Sequence, residues 1–506
     1  MTGLFLLSLL ENQLAFKSSC TKGAFMKSFK PMSAALCLMF TTPTFIQAAE
    51  VSEGKTSPVP ADASPINKIL PVTQPVKIVR DQDKAEGFLE GSHAKLTLRN
   101  YYTRQTTHRS TSLSIQKPWG TERTDLRNTW IQAAMLDYRS GYTKGALGFG
   151  LDLSLWGATN LERGKGQLAN GSDRTLVHSD GEAVPAWSRI GVADVRLRVS
   201  NTELKIGRFM PENPILRAKE NRSLPSSFDG VSLTSNELDS FAFQAGYVDR
   251  VVPRTGTDTD KFLSTFGTRA VSGDSISYVG VSIEPWYGLS TSLYASRFEN
   301  VWDRYYVGFT HRSGDPKVIG WKNVVTVYHT RDQGSRKLGY IDNTIASYAS
   351  TLTRGAHSLT FAYQQNFGNE YFDYPWETSA NFNNISLYSD FNGPNEKSWM
   401  AKYDVDFAAY GVPGLTTGVW YARGWGIDGT HYDGDRNGAR AGYNVRGLDG
   451  VKHWEIGLTA GYVVQSGQLK NSTFRTIVFH HRAEPGQIDG SYDELRLVAN
   501  LPFDLF

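Results

Sequence analysis

An all-β fold, and within that class a closed transmembrane antiparallel β-barrel, is what this sequence predicts. Three observations carry the expectation. Segments of about ten residues alternate apolar and polar side chains with period two from Gly87 onward. Aromatic residues cap the apolar faces, as at Trp399, Tyr403, Phe407, Trp454 and Tyr462. A leader with the features of an export signal precedes these segments and contains both cysteines.

Composition points the same way. Among 506 residues there are 48 Gly, 24 Tyr and 26 Phe, a mix that favours strands and turns over helices. The mean hydropathy of −0.36 excludes a bundle of membrane helices. It leaves a membrane barrel open, because alternating strands average near neutral.

Taken in chain order, residues 1–25 lie upstream of Met26 and read as an over-long start. Residues 26–49 begin with a basic Met-Lys-Ser-Phe-Lys, continue through an apolar run over 32–40 and end in Gln47-Ala48-Ala49, the layout of a secretory signal peptide. Removal of residues 1–49 takes away Lys17, Lys22, Lys27, Lys30 and Glu11, reducing 53 bases and 50 acids to 49 of each. A mature chain of no net charge offers no polyanion surface, so nucleic acid is not an expected partner. Cys20 and Cys37 leave too, so neither a disulfide frame nor a thiol metal site is expected. Residues 50–86 carry Pro58, Pro60, Pro65, Pro71 and Pro75 among small polar residues and read as an extended flexible linker.

Residues 87–506 form one domain of uniform texture. Leu147, Phe149, Leu151, Leu153 and Leu155 share a face, opposed by Gly148, Gly150, Asp152 and Ser154. Val195, Leu197 and Val199 oppose Asp194, Arg196 and Arg198, and Leu495, Leu497 and Leu501 oppose Glu494, Arg496 and Asn500. Strands of about 9–11 residues cross a bilayer when tilted, and interfacial aromatics mark its edges; strands of soluble sandwiches run nearer about 5–6. Lipid offers the backbone no partner, so every N–H and C=O must pair strand to strand in a closed cylinder. At roughly 20–25 residues per strand and connection, the domain holds about 16–20 strands. A barrel of that size leaves a lumen its own wall cannot fill, so inward-folded loops are needed to narrow it.

Alternation also orients the charges. A Lys or Arg facing lipid at mid-bilayer costs about 2–4 kcal/mol, so Arg99, Arg196, Arg198 and Arg496, each opposite apolar neighbours, should point into the lumen. Arg475 is less clear, because Ile477 and Phe479 share its face. A lumenal arginine has two available roles, gripping a passing anion or pairing with Asp and Glu to brace the wall.

Several longer motifs resemble the OprD-type porins of Gram-negative bacteria. They are Tyr388-Ser389-Asp390-Phe391-Asn392-Gly393-Pro394-Asn395-Glu396-Lys397-Ser398-Trp399, Tyr410-Gly411-Val412-Pro413-Gly414-Leu415-Thr416 and Tyr462-Val463-Val464-Gln465-Ser466-Gly467. Leu98-Arg99-Asn100-Tyr101-Tyr102 and the stretch from Lys205 to Pro214 agree, and the likeness runs in order over 87–506. It implies an outer-membrane barrel of about 18 strands with inward constriction loops, monomeric or loosely trimeric, in contact with outer-membrane lipid. It also implies passive uptake of small water-soluble carboxylates or amino acids, with no cofactor, past a ladder of basic side chains. Carried over, the substrate-binding residues are Arg99, Arg196, Arg198, Arg475 and Arg496, faced by Asp390 and Tyr374. Two rungs are missing, at Ile477 and Gly461, and the loop between Tyr374 and Tyr388 is short, with Trp376 and Phe382 available to refill it.

Other motifs carry less. Asp433-Gly434-Asp435-Arg436-Asn437-Gly438 begins like a calcium loop, but Asn444 stands where the closing Glu is needed. His480 and His481 are adjacent in a strand and point to opposite faces, so they cannot share one ion. An outer-membrane barrel hydrolase is the alternative function, with His453 and Glu455 or His329 and Asp332 drafted into a rim site.

Overall fold

The computed structural model describes residues 81–109, 111–161, 175–178, 182–267, 271–379, 388–437 and 442–506. Over-long start, signal peptide and most of the linker therefore lie outside the described residues.

Period-two alternation resolves into 18 barrel strands. They are β1 (His93–Thr107), β2 (Leu126–Arg139), β3 (Leu147–Asn160), β4 (Ala186–Val199), β5 (Thr202–Phe209), β6 (Ser227–Ser235), β7 (Phe241–Val252), β8 (Ile276–Trp286) and β9 (Leu289–Phe298). The second half holds β10 (Trp302–Asp315), β11 (Ile319–Asp332), β12 (Asp342–Arg354), β13 (His357–Phe367), β14 (Lys397–Asp406), β15 (Leu415–Ile427), β16 (Val451–Val463), β17 (Thr473–Ala483) and β18 (Tyr492–Asp504). Each strand pairs antiparallel with its sequence neighbours, and β18 closes on β1 with Asn500 opposite Arg99. Closure removes the free edges that lipid would leave unsatisfied. Pro502 does not interrupt β18: β17 has already ended, at Thr473 opposite Asn500, so its missing N–H orphans no partner there.

The outward face is the lipid belt. Leu147, Leu153, Val279, Leu352, Leu359, Ile456 and Leu458 are exposed, as side chains meeting acyl tails must be. Trp130 and Trp454 lie outward near one end of their strands, and Tyr403, Tyr410 and Tyr462 near the other, as two interfacial girdles.

The two ends differ. Short turns, such as 200–201, 287–288 and 355–356, join strands at one end, and long connections at the other: 108–125, 161–185, 210–226, 253–275, 368–396 and 428–450. Gly288 takes φ 87° in its two-residue turn, the left-handed geometry such hairpins require. Residues 81–86, the last of the linker, pack at the short-turn end. Gln82 Nε2 donates to the carbonyls of Thr143 and Gly145 at 2.9 and 3.0 Å.

Apolar packing inside the barrel is uneven. The largest apolar cluster joins Ile215 and Leu216, Phe262 and Phe266, Tyr371, Phe372 and Tyr374, and Tyr443 and Val445 from four long connections to the inner wall of β5–β12. Tyr294, Tyr306 and Tyr328 stand side by side on that wall, with ring centroids 6.3 and 4.6 Å apart. Tyr294 lies flat because its cross-strand partner is Gly280; a Cβ there would come within 2.1 Å of the ring. Glycine beneath an aromatic is a recurrent device of curved sheets. The substitution Gly280→Val should push the Tyr294 ring into the lumen, lowering single-channel conductance while circular dichroism keeps its strand signal. An unchanged conductance would show that the ring finds room along the wall.

Candidate functional site

Pore-lining chemistry begins with the register of β17, β18 and β1. Arg496 on β18 stands opposite Ile477 on β17 and Thr103 on β1. Arg475 on β17 stands opposite Val498, two residues further along β18, and Arg99 on β1 opposite Asn500, two further again. At about 3.3 Å per residue, each step descends about 7 Å from the long-loop end toward the short-turn end. Three guanidinium-bearing side chains on adjacent strands thus form a staggered row on the inner wall.

Each rung has its own surroundings. Arg99 Nε donates to Asn500 Oδ1 at 2.6 Å, Nη1 to the Arg222 carbonyl at 3.2 Å and Nη2 to Glu220 Oε1 at 2.6 Å. Arg496 is buried, with Nε 2.8 Å from Glu494 Oε1. Arg475 is half-buried beside Gly461 on β16. Arg196 and Arg198 lie away from this row, near the short-turn end, over the Tyr142 ring at 4.5 and 3.8 Å. Arg196 is buried between Asp152 Oδ1, at 3.0 Å, and the Ser140 carbonyl, at 2.6 Å. Arg198 Nε donates to Gln82 Oε1 at 3.0 Å.

Inside the barrel, three long connections knit into one inner plate through their backbones. Ala218 bridges Thr378, and Ser264 bridges Pro375. Thr265 N donates to the Tyr374 carbonyl at 3.1 Å. A buried ion pair holds the plate, with Arg254 Nε 2.7 Å and Nη2 3.2 Å from the two oxygens of Glu377. Arg254 Nη1 also donates to Asn221 Oδ1. Burial alone would raise the Glu377 carboxyl, but the Arg254 guanidinium and N–H hold it below its ordinary range.

On this plate the two acidic-side residues expected from the sequence meet directly: the Tyr374 hydroxyl donates to Asp390 Oδ2. Burial, reinforced by Asp390, holds the Tyr374 hydroxyl well above its usual range. Lys219 Nζ sits 5.3 Å over the Tyr374 ring. Burial, aided by Arg254 and Arg222, lowers the Lys219 ammonium to about 7, against the opposing pull of Asp390 and Glu377.

The sequence reading missed Lys219, Arg222, Arg254 and Glu377. A signal existed for the first two: Arg217-Ala218-Lys219-Glu220-Asn221-Arg222 sets three bases in six residues where alternation has stopped. Arg254 and Glu377 had no local signal, since only the crossing of two distant loops joins them.

The comparisons with known proteins bear on this geometry. The family model described as "outer membrane porin, OprD family" matches residues 86–505. Porin D of Pseudomonas aeruginosa is 35% identical over 471 residues, covering 90% of this chain and 98% of its own. The chain belongs to the OprD family. OccD3 (OpdP) of Pseudomonas aeruginosa is 45% identical, with a TM-score of 0.74 over 85% of this chain and 95% of its own. OpdK of Pseudomonas aeruginosa, crystallised with vanillate, is 27% identical, with a TM-score of 0.72 over 83% of this chain and all of its own.

An OprD-family barrel is an outer-membrane channel, and the two missing rungs are readable in it. Ile477 points inward but is buried against Tyr388, Phe479 and Tyr492, so an apolar plug stands where the resemblance expects a base. Gly461 lies directly across from Arg475. Trp376 joins the inner plate through its N–H to the Leu263 carbonyl at 2.8 Å; Phe382 lies outside the described residues. The hydrolase reading gains no support from these porin relatives. His453 is hydrogen-bonded to Glu396 rather than Glu455. Ser389 Oγ donates to Asp489 Oδ2.

Proposed function

We propose that this OprD-family porin takes up small carboxylates, amino acids among them, by passive diffusion. One observation carries the reading: a staggered row of arginines on β17, β18 and β1 lines a lumen that also holds an inner plate bearing Tyr374 and Asp390. The largest apolar cluster lines the β5–β12 side, and in this reading the solute follows the basic wall.

Arginine suits this task because its planar fork grips both oxygens of a carboxylate. Transport also requires that each grip be weak. A unit charge pair at 4 Å is worth about 4 kcal/mol at an effective dielectric near 20, enough to trap a solute on a single site. Several rungs of similar energy let it step and leave. Arg475 and Arg198 serve as rungs. Arg99, Arg196 and Arg496, each clasped by a carboxylate, add field rather than contact. Lys219, Arg222 and Arg254 extend the positive field from the loop side. OpdK crystallised with vanillate, a carboxylate, is consistent with this class of solute. In this reading residues 26–49 direct export and the segment 50–86 tethers the barrel's start.

Asp390 beside Tyr374 gives the constriction a transverse field that favours zwitterions over simple anions. Asp390→Asn keeps the acceptor for Tyr374 but removes the charge. Liposome swelling should then slow for amino-acid-like solutes and stay unchanged for simple carboxylates; equal loss for both rejects this role. The function itself is tested by single-channel recording on purified, refolded protein. A steady conductance blocked by carboxylates is expected, and silence, or conductance indifferent to them, overturns it.

A further inference from the structure

His453 on β16 and His481 on β17 both point inward and are buried near the long-loop end, their ring centroids 5.2 Å apart. Neither has a part in the route along the arginines. His453 Nε2 lies 2.6 Å from Glu396 Oε1, and His481 Nδ1 lies 2.7 Å from the Gly490 carbonyl. A carbonyl only accepts, so His481 Nδ1 carries the hydrogen. Glu396 Oε2 already accepts the Gly393 N–H at 2.8 Å, so this side chain serves as an acceptor and His453 Nε2 carries the hydrogen on that side. The remaining nitrogens face one another, His453 Nδ1 to His481 Nε2, at 3.0 Å, with Gln487 Nε2 3.4 Å from His453 Nδ1. Two lone pairs at that distance repel unless a positive centre lies between them, either a proton or a metal ion.

A third donor completes the set. Asp489 Oδ2 lies 3.5 Å from His453 Nδ1, and the three ligand atoms lie within 4.8 Å of one another. Bonds of about 2.0–2.1 Å in a tetrahedral zinc site place neighbouring ligand atoms about 3.3 Å apart; two of the three separations, 3.0 and 3.5 Å, bracket that value, and the Asp489 carboxylate would turn toward His481 to complete the set. The outer contacts match those of metal-binding histidines, whose second nitrogen is held by a carboxylate or a backbone carbonyl. Ser389 Oγ, 2.5 Å from Asp489 Oδ2, borders the same space. The Phe391 ring, 4.5 Å from His453, and the Tyr388 ring, 4.9 Å from His481, shield it.

We propose that His453 Nδ1, His481 Nε2 and the Asp489 carboxylate form a binding site for a divalent first-row transition ion of the zinc type. Two neutral imidazoles and one carboxylate suit zinc, cobalt or nickel rather than calcium or magnesium, which take all-oxygen shells. Bound metal would tie the connection over 484–491 to β16 and β17. Through Ser389 and Glu396 it would steady the stretch that carries Asp390, so the ion acts as a clamp on the constriction.

The test uses the full-length barrel, refolded with chelator, loaded with zinc and dialysed. Elemental analysis should find one zinc per chain in the wild type, and none in Asp489→Asn or His481→Gln. His480→Gln, which alters the exposed neighbour bonded to Asp493 at 2.8 Å, should keep it. Equal retention in all four proteins would place the metal elsewhere on the surface and overturn the site. Should the variants fold poorly, cobalt added to wild type decides: strong visible bands of a four-coordinate ion support the site, and their absence leaves a proton as the bridge and overturns it.

Discussion

Arg254→Ala should open the constriction while leaving the barrel closed. Its guanidinium is buried against both oxygens of Glu377 and reaches Asn221 as well. Removing one partner of a buried pair leaves an uncompensated charge and costs about 3–5 kcal/mol. That cost falls on the inner plate, because the pair joins the connections over 210–226, 253–275 and 368–396 and touches no barrel strand pairing. Single-channel conductance should rise, anion preference should fall, and protease should cut the plate while the barrel's thermal transition stays in place. Replacing both partners, Arg254→Met with Glu377→Met, should restore most of the lost protection, because no charge is then stranded. A single variant with wild-type conductance and wild-type protease resistance would show that the plate does not depend on this pair.

Anion preference should fall as pH rises through about 7, and Lys219 sets that midpoint. Burial, with Arg254 and Arg222 nearby, lowers its ammonium to about 7, while Asp390 and Glu377 oppose the shift. The sign follows directly: Lys219 is charged below that pH and neutral above it, so the constriction loses one positive charge between pH 6 and pH 8. A unit charge at 4 Å is worth about 1 kcal/mol in bulk water and about 4 kcal/mol at an effective dielectric near 20. The anion-to-cation permeability ratio, read from reversal potentials across a salt gradient, should therefore fall at least about fivefold. Lys219→Met should hold the low ratio at both pH values. A flat profile in the wild type, or the same step in the variant, removes Lys219 from the role.

The wall was legible because a membrane strand has one physical instruction per residue, lipid or lumen. Arg99, Arg196, Arg198 and Arg496 each oppose outward apolar neighbours, and all four point inward. Arg475 was ambiguous because Ile477 and Phe479 share its face. All three do point inward, and the apolar pair is buried by the incoming Tyr388 and by Tyr492 of the adjacent strand β18. The expected pair of Tyr374 and Asp390 rested on family likeness, and the two proved to be hydrogen-bonded.

What alternation could not convey is what the loops do once inside. By itself the sequence determined a closed barrel, its lipid belt and the inward aim of its charges, because each follows from the solvent that a single side chain meets. Only the tertiary structure decided how the inner connections pack against the wall, that Arg254 of one connection clasps Glu377 of another, and that His453, His481 and Asp489 converge. Those contacts join residues far apart in the chain, and their energy comes from desolvation and charge pairing at a crossing that no local pattern records.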